Sequence, residues 1–178
     1  ELPVFNSMGF LIRHSFQFHW KNSNYQDFDQ FLSTLKRKRR KEIIRERKQI
    51  KEQMITVSVL EGDDITREHI AQMYKFYIST ISRKWGHPYL SLEFFYRIQQ
   101  TMLKRLVLIL AYVDEDCVAG AINFQKGDCL YGRYWGCKGN YRSLHFELCY
   151  YQPIEFAIRN GIRLFEAGAQ GEHKIQRG

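Results

Sequence analysis

The chain contains no apolar run of membrane-spanning length. The longest, Leu106 to Val113, falls far short of the ~20 residues a bilayer helix requires and reads as a buried strand. The N-terminus shows no signal-peptide pattern. Four cysteines, Cys117, Cys129, Cys137 and Cys149, show no CxxC spacing, which removes the usual zinc frameworks. His145-Phe146-Glu147 spells the H-x-E of zinc deaminases, but the P-C-x-x-C that must follow is missing, so no metal is expected. Without a secretion signal, reduced thiols in a cytoplasmic protein are the default, each cysteine packing as a small hydrophobe. Acidic residues are scarce in one stretch only. Between Lys36 and Lys51 there are two, Glu42 and Glu46, against ten basic residues.

What is present is a globular composition, 44% hydrophobic and 15% aromatic over 178 residues, enough for one domain with a real core or most of two small ones. Residues 8–20 alternate toward Phe16, Phe18 and Trp20 and predict a strand or hairpin arm. Asp27 caps a helix running to Leu35, and a basic helix and the strand Ile55–Leu60 follow. Thr66 caps a helix whose apolar stripe is Ile70, Met73, Tyr74, Tyr77, Ile78, Ile81 and Trp85, ending near Gly86-His87-Pro88. Ser91 caps the next, with Leu92, Phe95, Ile98 and Met102 inward. Leu106–Val113, Val118–Gln125 and the strand from Leu130 form an antiparallel meander. A helix from His145 is closed by Gly161, and Ile162–Glu166 is a last strand before the loop Gly168-Ala169-Gln170-Gly171. Periodicity therefore predicts an α/β or α+β fold. In such units ligands sit beyond the carboxyl ends of the strands.

The basic run carries 10 − 2 = +8, and the whole chain 27 − 19 = +8, so elsewhere the charges cancel. Ile43 and Ile50 lie seven apart and offer a narrow docking seam, which makes this a surface helix. Six consecutive cations repel one another, so a polyanionic partner is expected at Lys38, Arg39, Arg40 and Arg47: RNA, a diphosphate-bearing precursor or an anionic surface. The alternative is a solvated face that keeps the protein soluble.

Several blocks are distinctive: QFHW (17–20), KRKRRKEIIRER (36–47), RKWGHPYL (83–90), GRYWGC (132–137), LHFELCYYQ (144–152), AIRNG (157–161) and EAGAQGEHK (166–174). In this order they resemble the bacterial FemAB-like family, predicted N-acyltransferases of the GNAT superfamily, from around Phe10 to the last residue. The resemblance implies a GNAT-like fold, a mixed and mostly antiparallel sheet with a central helix and splayed strands that admit an acyl donor. It also implies that residues 1–26 are the strand or hairpin remnant of a preceding segment. Residues 27–178 would then be the GNAT-like domain, truncated at its C-terminus, since the chain lacks an initial methionine and stops within the glycine-loop segment. The basic helix resembles a feature of the Fem peptidyltransferases, which use aminoacyl-tRNA, and peptidoglycan precursor metabolism is the expected setting.

Acyl transfer to an amine needs a neutral nucleophile, a donor carbonyl polarised by preorganised N–H groups, and a proton donor for the leaving group. The resemblance places the polarising N–H in Tyr131–Gly136, with Gly132 and Gly136 letting the backbone bulge. Glu147 or Glu166 would relay the amine proton, and Tyr134, Tyr150 or His173 would return one. Lys174 falls where Fem peptidyltransferases hold a lysine near the reacting centre. Arg133, Trp135, Gly136, Lys138, Arg142, His145, Gln170 and Glu172 are the expected substrate or donor contacts. His19 and Trp20 either line a pocket or close the core edge; each tyrosine is either a site residue or a core aromatic. No cofactor is expected to be held firmly, and the donor is an aminoacyl-tRNA or an acyl-CoA. The pyrophosphate loop of acetyl-CoA enzymes, Gln/Arg-x-x-Gly-x-Gly/Ala, is absent from the corresponding segment Cys137–His145, which disfavours acetyl-CoA. The alternative to an enzyme is a non-catalytic GNAT-like module binding RNA or an anionic precursor through residues 36–51.

Overall fold

The computed structural model describes residues 2–12, 17–83 and 86–168. Its elements are α1 (Leu2–Ser7), β1 (His19–Lys21), α2 (Phe28–Thr34), α3 (Arg37–Glu52), β2 (Ile55–Glu61), α4 (Arg67–Arg83), α5 (Leu92–Met102), β3 (Leu106–Val113), β4 (Asp116–Lys126) and β5 (Cys129–Cys137). A central helix follows, then β6 (Leu164–Glu166). The six strands form one sheet in the order β1-β6-β5-β4-β3-β2. All neighbours are antiparallel except β5 and β6. This is the mixed, mostly antiparallel α/β fold expected.

Local signals set most boundaries. The backbone N–H of Gln30 donates to Asp27 Oδ1 (2.7 Å), that of His69 to Thr66 Oγ1 (3.3 Å) and that of Phe94 to Ser91 Oγ (3.2 Å), so each expected N-cap satisfies an orphan donor. Gly161 takes the left-handed conformation (φ 63°) that ends the central helix. Residues 8–20 depart from expectation. Among the described residues the strand there is His19–Lys21, Phe16 lies outside the described residues, and Leu2–Ser7 is a helix. β1 is an edge strand of the same sheet that the later elements build.

Helices cover both faces. On one, α4 and α5 pack Ile70, Met73, Phe76, Tyr77 and Phe95 against Leu106, Leu108, Leu110 and Ile122. On the other, α2, α3 and the central helix bury Phe31, Ile43, Tyr151, Phe156, Ile50 and Leu148. β3 is therefore covered on both sides, which explains its unbroken apolar run. Gly136 is where α4 lies closest to the sheet: a Cβ there would sit 2.0 Å from the Phe76 carbonyl oxygen. That glycine serves helix packing, not a backbone bulge toward a donor.

The central helix is not uniform. It runs as α6 (Leu144–Phe146), a π turn (Glu147–Tyr151) and α7 (Gln152–Arg159). The wider turn is a feature enriched at functional positions. No helix among the described residues is long and apolar enough to cross a membrane.

Candidate active site

β5 and β6 pair at three positions only, Cys129 with Leu164, Leu130 with Phe165 and Tyr131 with Glu166. Beyond Glu166 the chain turns its hydrogen bonds to the other side: Ala167 N donates to Phe18 O (3.3 Å), and Phe18 N to Gly168 O (3.4 Å). β5 continues to Cys137 while its pairing with β6 ends at Tyr131 and Glu166, so among the described residues the two parallel strands part and leave an opening.

β5 is irregular at this place. Its register with β4 shifts between Ile122–Tyr134 and Asn123–Gly132, leaving Arg133 as the extra residue of a bulge. The bulge sets Tyr134 on the α4/α5 face, packed on Tyr77 (centroids 5.1 Å apart), while Trp135 turns to the central helix and meets His145 (4.8 Å). The Tyr134 and Tyr89 hydroxyls lie 2.9 Å apart. Burial, then Tyr89, pushes the Tyr134 phenol above its ordinary range, so it holds its proton at neutral pH.

Glu166 ends β6 with its side chain 13% exposed, and Arg133 Nη2 is 3.8 Å from its Oε2. Its register partners are His19 on β1 and Tyr131 on β5. Directly opposed residues share a face, so His19, Glu166 and Tyr131 form a row on the α4/α5 side. Trp20 alternates to the other face, where it is buried against Phe31 (5.8 Å). Of that expected pair, His19 borders the opening and Trp20 belongs to the core. Tyr150 is likewise buried in the core beneath the opposite face.

Glu147 does not join Glu166. It is buried in the π turn on the far side of the sheet, where Oε1 accepts from Arg47 Nη2 (3.1 Å) and Gln152 Nε2 (2.7 Å). Its Oε2 has no hydrogen-bond partner among the described residues. The carboxylate expected to relay a proton is thus buried away from Glu166 and held by Arg47 and Gln152. Arg47, expected as a free surface cation, spans Glu147 and Glu155 (2.8 Å) and lies over the Phe28 ring (4.7 Å). Burial works against its charge, but the two carboxylates outweigh burial and hold its pKa above the ordinary value.

α3 is fastened to the central helix by more than its Ile43–Ile50 seam. The Tyr151 hydroxyl donates to buried Glu46. Ser143 Oγ donates to Gln49 Oε1 (2.9 Å), and Gln53 holds both the N–H and the carbonyl of Arg142 (3.0 Å each). Ser143 carries a left-handed backbone (φ 61°) immediately before the helix. Lys138 is paired with Asp116 (2.5 Å). Lys38 is exposed, Arg40 half-buried, and Arg39 half-buried on Glu42 (2.9 Å). Gln170, Glu172, His173 and Lys174 lie outside the described residues.

The FemAB-like family, described as peptidoglycan biosynthesis/recognition, matches residues 1–178. The chain belongs to the FemAB-like family. Among solved structures this FemAB-like chain is similar to FemX, at 13% identity and a TM-score of 0.61 over 95% of this chain and 59% of that one. It is also similar to L-PGS from Bacillus licheniformis, at 10% identity and 0.60 over 93% and 48%. A third is the C-terminal domain of a putative lysylphosphatidylglycerol synthetase from Agrobacterium fabrum, at 11% and 0.50 over 78% and 44%. Likeness at such identity is one of fold, and the chain spans roughly half the length of these structures. No curated protein matches it. The mixed, mostly antiparallel sheet with a central helix that its sequence blocks imply is the fold it has, and these structures share it.

The residues missed by sequence reasoning are Tyr89 and Tyr131. Tyr89 follows Pro88 in a stretch without periodicity; Tyr131 reads as one more strand aromatic. Only the register across β1, β6 and β5 singles it out.

Proposed function

We propose that this chain is the acyl-transfer unit of an N-acyltransferase, moving an acyl or aminoacyl group to an amine in peptidoglycan precursor metabolism. The observation that carries the reading is the divergence of β5 from β6 immediately past Tyr131 and Glu166, with a bulge at Arg133 on its wall. Thr80 Oγ1 donates to Trp135 O (2.8 Å) and Arg83 Nη2 to Cys137 O (2.9 Å). These carbonyls thus point away from β4. In a strand a residue's N–H lies on the same edge as its carbonyl, so the N–H groups of Trp135 and Cys137 fall on the side that β6 has left. They are suited to polarise a donor carbonyl.

In this reading the acceptor amine loses a proton toward Glu166, with His19 beside it. The amine nitrogen bonds to the carbonyl carbon, the bond to the leaving group breaks, and Tyr134 supplies the leaving group's proton through its contact with Tyr89. The exposed cations of α3 and its N-cap, Lys36, Arg37, Lys38, Lys41, Arg45 and Lys48, dock a polyanionic donor carrier such as aminoacyl-tRNA. The test is turnover by the full protein with a panel of charged tRNAs and acyl-CoAs and peptidoglycan-precursor amines. Transfer that survives Glu166→Gln undiminished would overturn the assignment. RNA binding without any transfer would favour a non-catalytic module.

A further inference from the structure

Across the sheet from the β5–β6 opening, α2, α3, β2 and the π turn wall a cavity of about 620 Å³. Phe28, Leu32, Ile50 and Ile55 are buried along it, with Val57 beside them, so its inner surface is largely apolar. Into that surface Glu147 brings a carboxylate whose side chain is 4% exposed. Oε1 is engaged by Arg47 and Gln152, whereas Oε2 has no hydrogen-bond partner among the described residues. A buried carboxylate oxygen without a donor is costly, and folded proteins seldom keep one without a use for it. Arg47 does not neutralise the group. Its single charge is shared with Glu155 (2.8 Å), so one guanidinium faces two carboxylates and one negative charge remains. Lys48 and Lys51 also line the cavity, but both are exposed and belong to its mouth, and Lys48 is drawn to Glu52 (3.4 Å).

We propose that this cavity binds a small primary alkylammonium, which donates an N–H to Glu147 Oε2 and lays its aliphatic stem along Leu32, Ile50 and Ile55. An ammonium supplies the two things the buried groups lack, a donor for Oε2 and a positive charge. A hydroxyl supplies only the donor, and a quaternary ammonium only the charge. The remaining negative charge disfavours an anion. An apolar wall with a single orienting polar group, in a cavity of this size, is the usual make-up of a small-molecule site. Because the sheet lies between Glu147 and Glu166, the amine held here is not the one that is acylated, and the site stands independently of the proposed transfer reaction. Glu147 begins the π turn, so the bound amine braces the irregular part of the central helix.

Calorimetry and amide NMR on the full chain, with hexylamine as the probe, test this without turnover. Hexylamine should bind and shift the backbone amide signals of Ile55, Val57 and Gln152. Glu147→Gln keeps the shape of the side chain and should weaken binding by about tenfold or more, as loss of a charged hydrogen bond requires. Glu166→Gln should leave the affinity within about twofold. Hexanol and hexyltrimethylammonium should each bind more weakly than hexylamine, and hexanoate more weakly still. If Glu147→Gln does not fold, the amide map and the probe series on the wild type decide. Failure of hexylamine to bind, shifts confined to Tyr131 and Glu166, undiminished affinity in a folded Glu147→Gln, or hexanol binding as tightly as hexylamine would each overturn the site.

Discussion

Arg47 and Glu147 are one hundred residues apart in the chain and share a hydrogen bond of 3.1 Å that ties the basic helix to the π turn. Truncating Arg47 leaves the Glu147 carboxylate, 4% exposed, without its counter-charge. Loss of one partner of a fully buried pair costs roughly 3–5 kcal/mol; with Arg47 itself 27% exposed, screening reduces this to about 2 kcal/mol. Arg47→Ala should therefore lower the denaturant midpoint clearly, and adding Glu147→Gln should recover part of the loss. A double-mutant cycle in urea measures both. Equal stability of Arg47→Ala and the wild type would refute this coupling.

Gly136 offers a sharper packing test. Alanine would place its Cβ against backbone of α4 rather than against a side chain that could move. The helix must shift or the strand must bend, at a cost of about 3 kcal/mol. Thermal unfolding of Gly136→Ala should show a large drop in Tm. Gly127→Ala, at a turn with open space but φ 59°, should cost only about 1 kcal/mol.

These two sites show what the sequence carried and what it did not. The order of helices and strands was legible because caps at Asp27, Thr66 and Ser91 and the apolar periods act within a few residues of each other. The basic helix and its Ile43–Ile50 seam were legible for the same reason. The meaning of Arg47 was not, since a cation in a basic run looks like its neighbours until Glu147 arrives from far along the chain. Glu166, ending a strand, was the stronger of the two carboxylate candidates in the sequence, but only the sheet between them places Glu147 in the core and Glu166 at the opening. The bulge at Arg133 has no residue signature beyond Gly132, yet it decides which way Tyr134 and Trp135 point.

Glu166→Gln keeps the shape of the side chain and removes its charge. If Glu166 receives the amine proton, turnover should fall by about 10²-fold or more while KM changes little. Steady-state kinetics on the full protein, with the donor that supports transfer, reads the split. A change in KM alone would make Glu166 a binding residue.

Cys117 supplies a pH signature of the fold. Burial pushes its thiol up from 9.0 to about 11, with Lys138 and the Tyr112 contact acting in the opposite direction. The folded state thus keeps a proton that the unfolded chain gives up, so this contribution is complete below pH 9 and is lost as pH rises through about 11. Stability should fall over that window with a slope that flattens in Cys117→Ala. Native-state alkylation at pH 8 should label half-buried Cys149 before Cys117. Faster labelling of Cys117 would contradict the burial argument.

Polyanion docking is a property of the exposed cations of α3. Charge reversal belongs at Lys38, Lys41 and Arg45, which are exposed, and not at Arg47. The triple reversal should abolish most RNA binding without lowering Tm, and wild-type binding should weaken steeply with salt. Affinity that is flat between low and high salt would remove electrostatic docking as the mechanism.

The donor itself is the last question, and the loop before the central helix bears on it. Backbone N–H groups that hold a pyrophosphate must be free and closely approachable. Here the Arg142 N–H already donates to Gln53 Oε1, Gln53 Nε2 takes the Arg142 carbonyl, and Ser143 Oγ is bound to Gln49. Tyr141 lies over Gly139, with a ring carbon 3.2 Å from where a Cβ would be. Lys138 is drawn to Asp116. Acetyl-CoA would have to break α3's grip on this loop before its pyrophosphate could settle, so its binding should be weak. Gln53→Ala releases the Arg142 N–H and should strengthen acetyl-CoA binding severalfold, while leaving any RNA binding by the exposed cations of α3 unchanged. Calorimetry on both proteins decides it: micromolar acetyl-CoA affinity in the wild type, unaffected by Gln53→Ala, would show that the loop is not what governs the choice of donor.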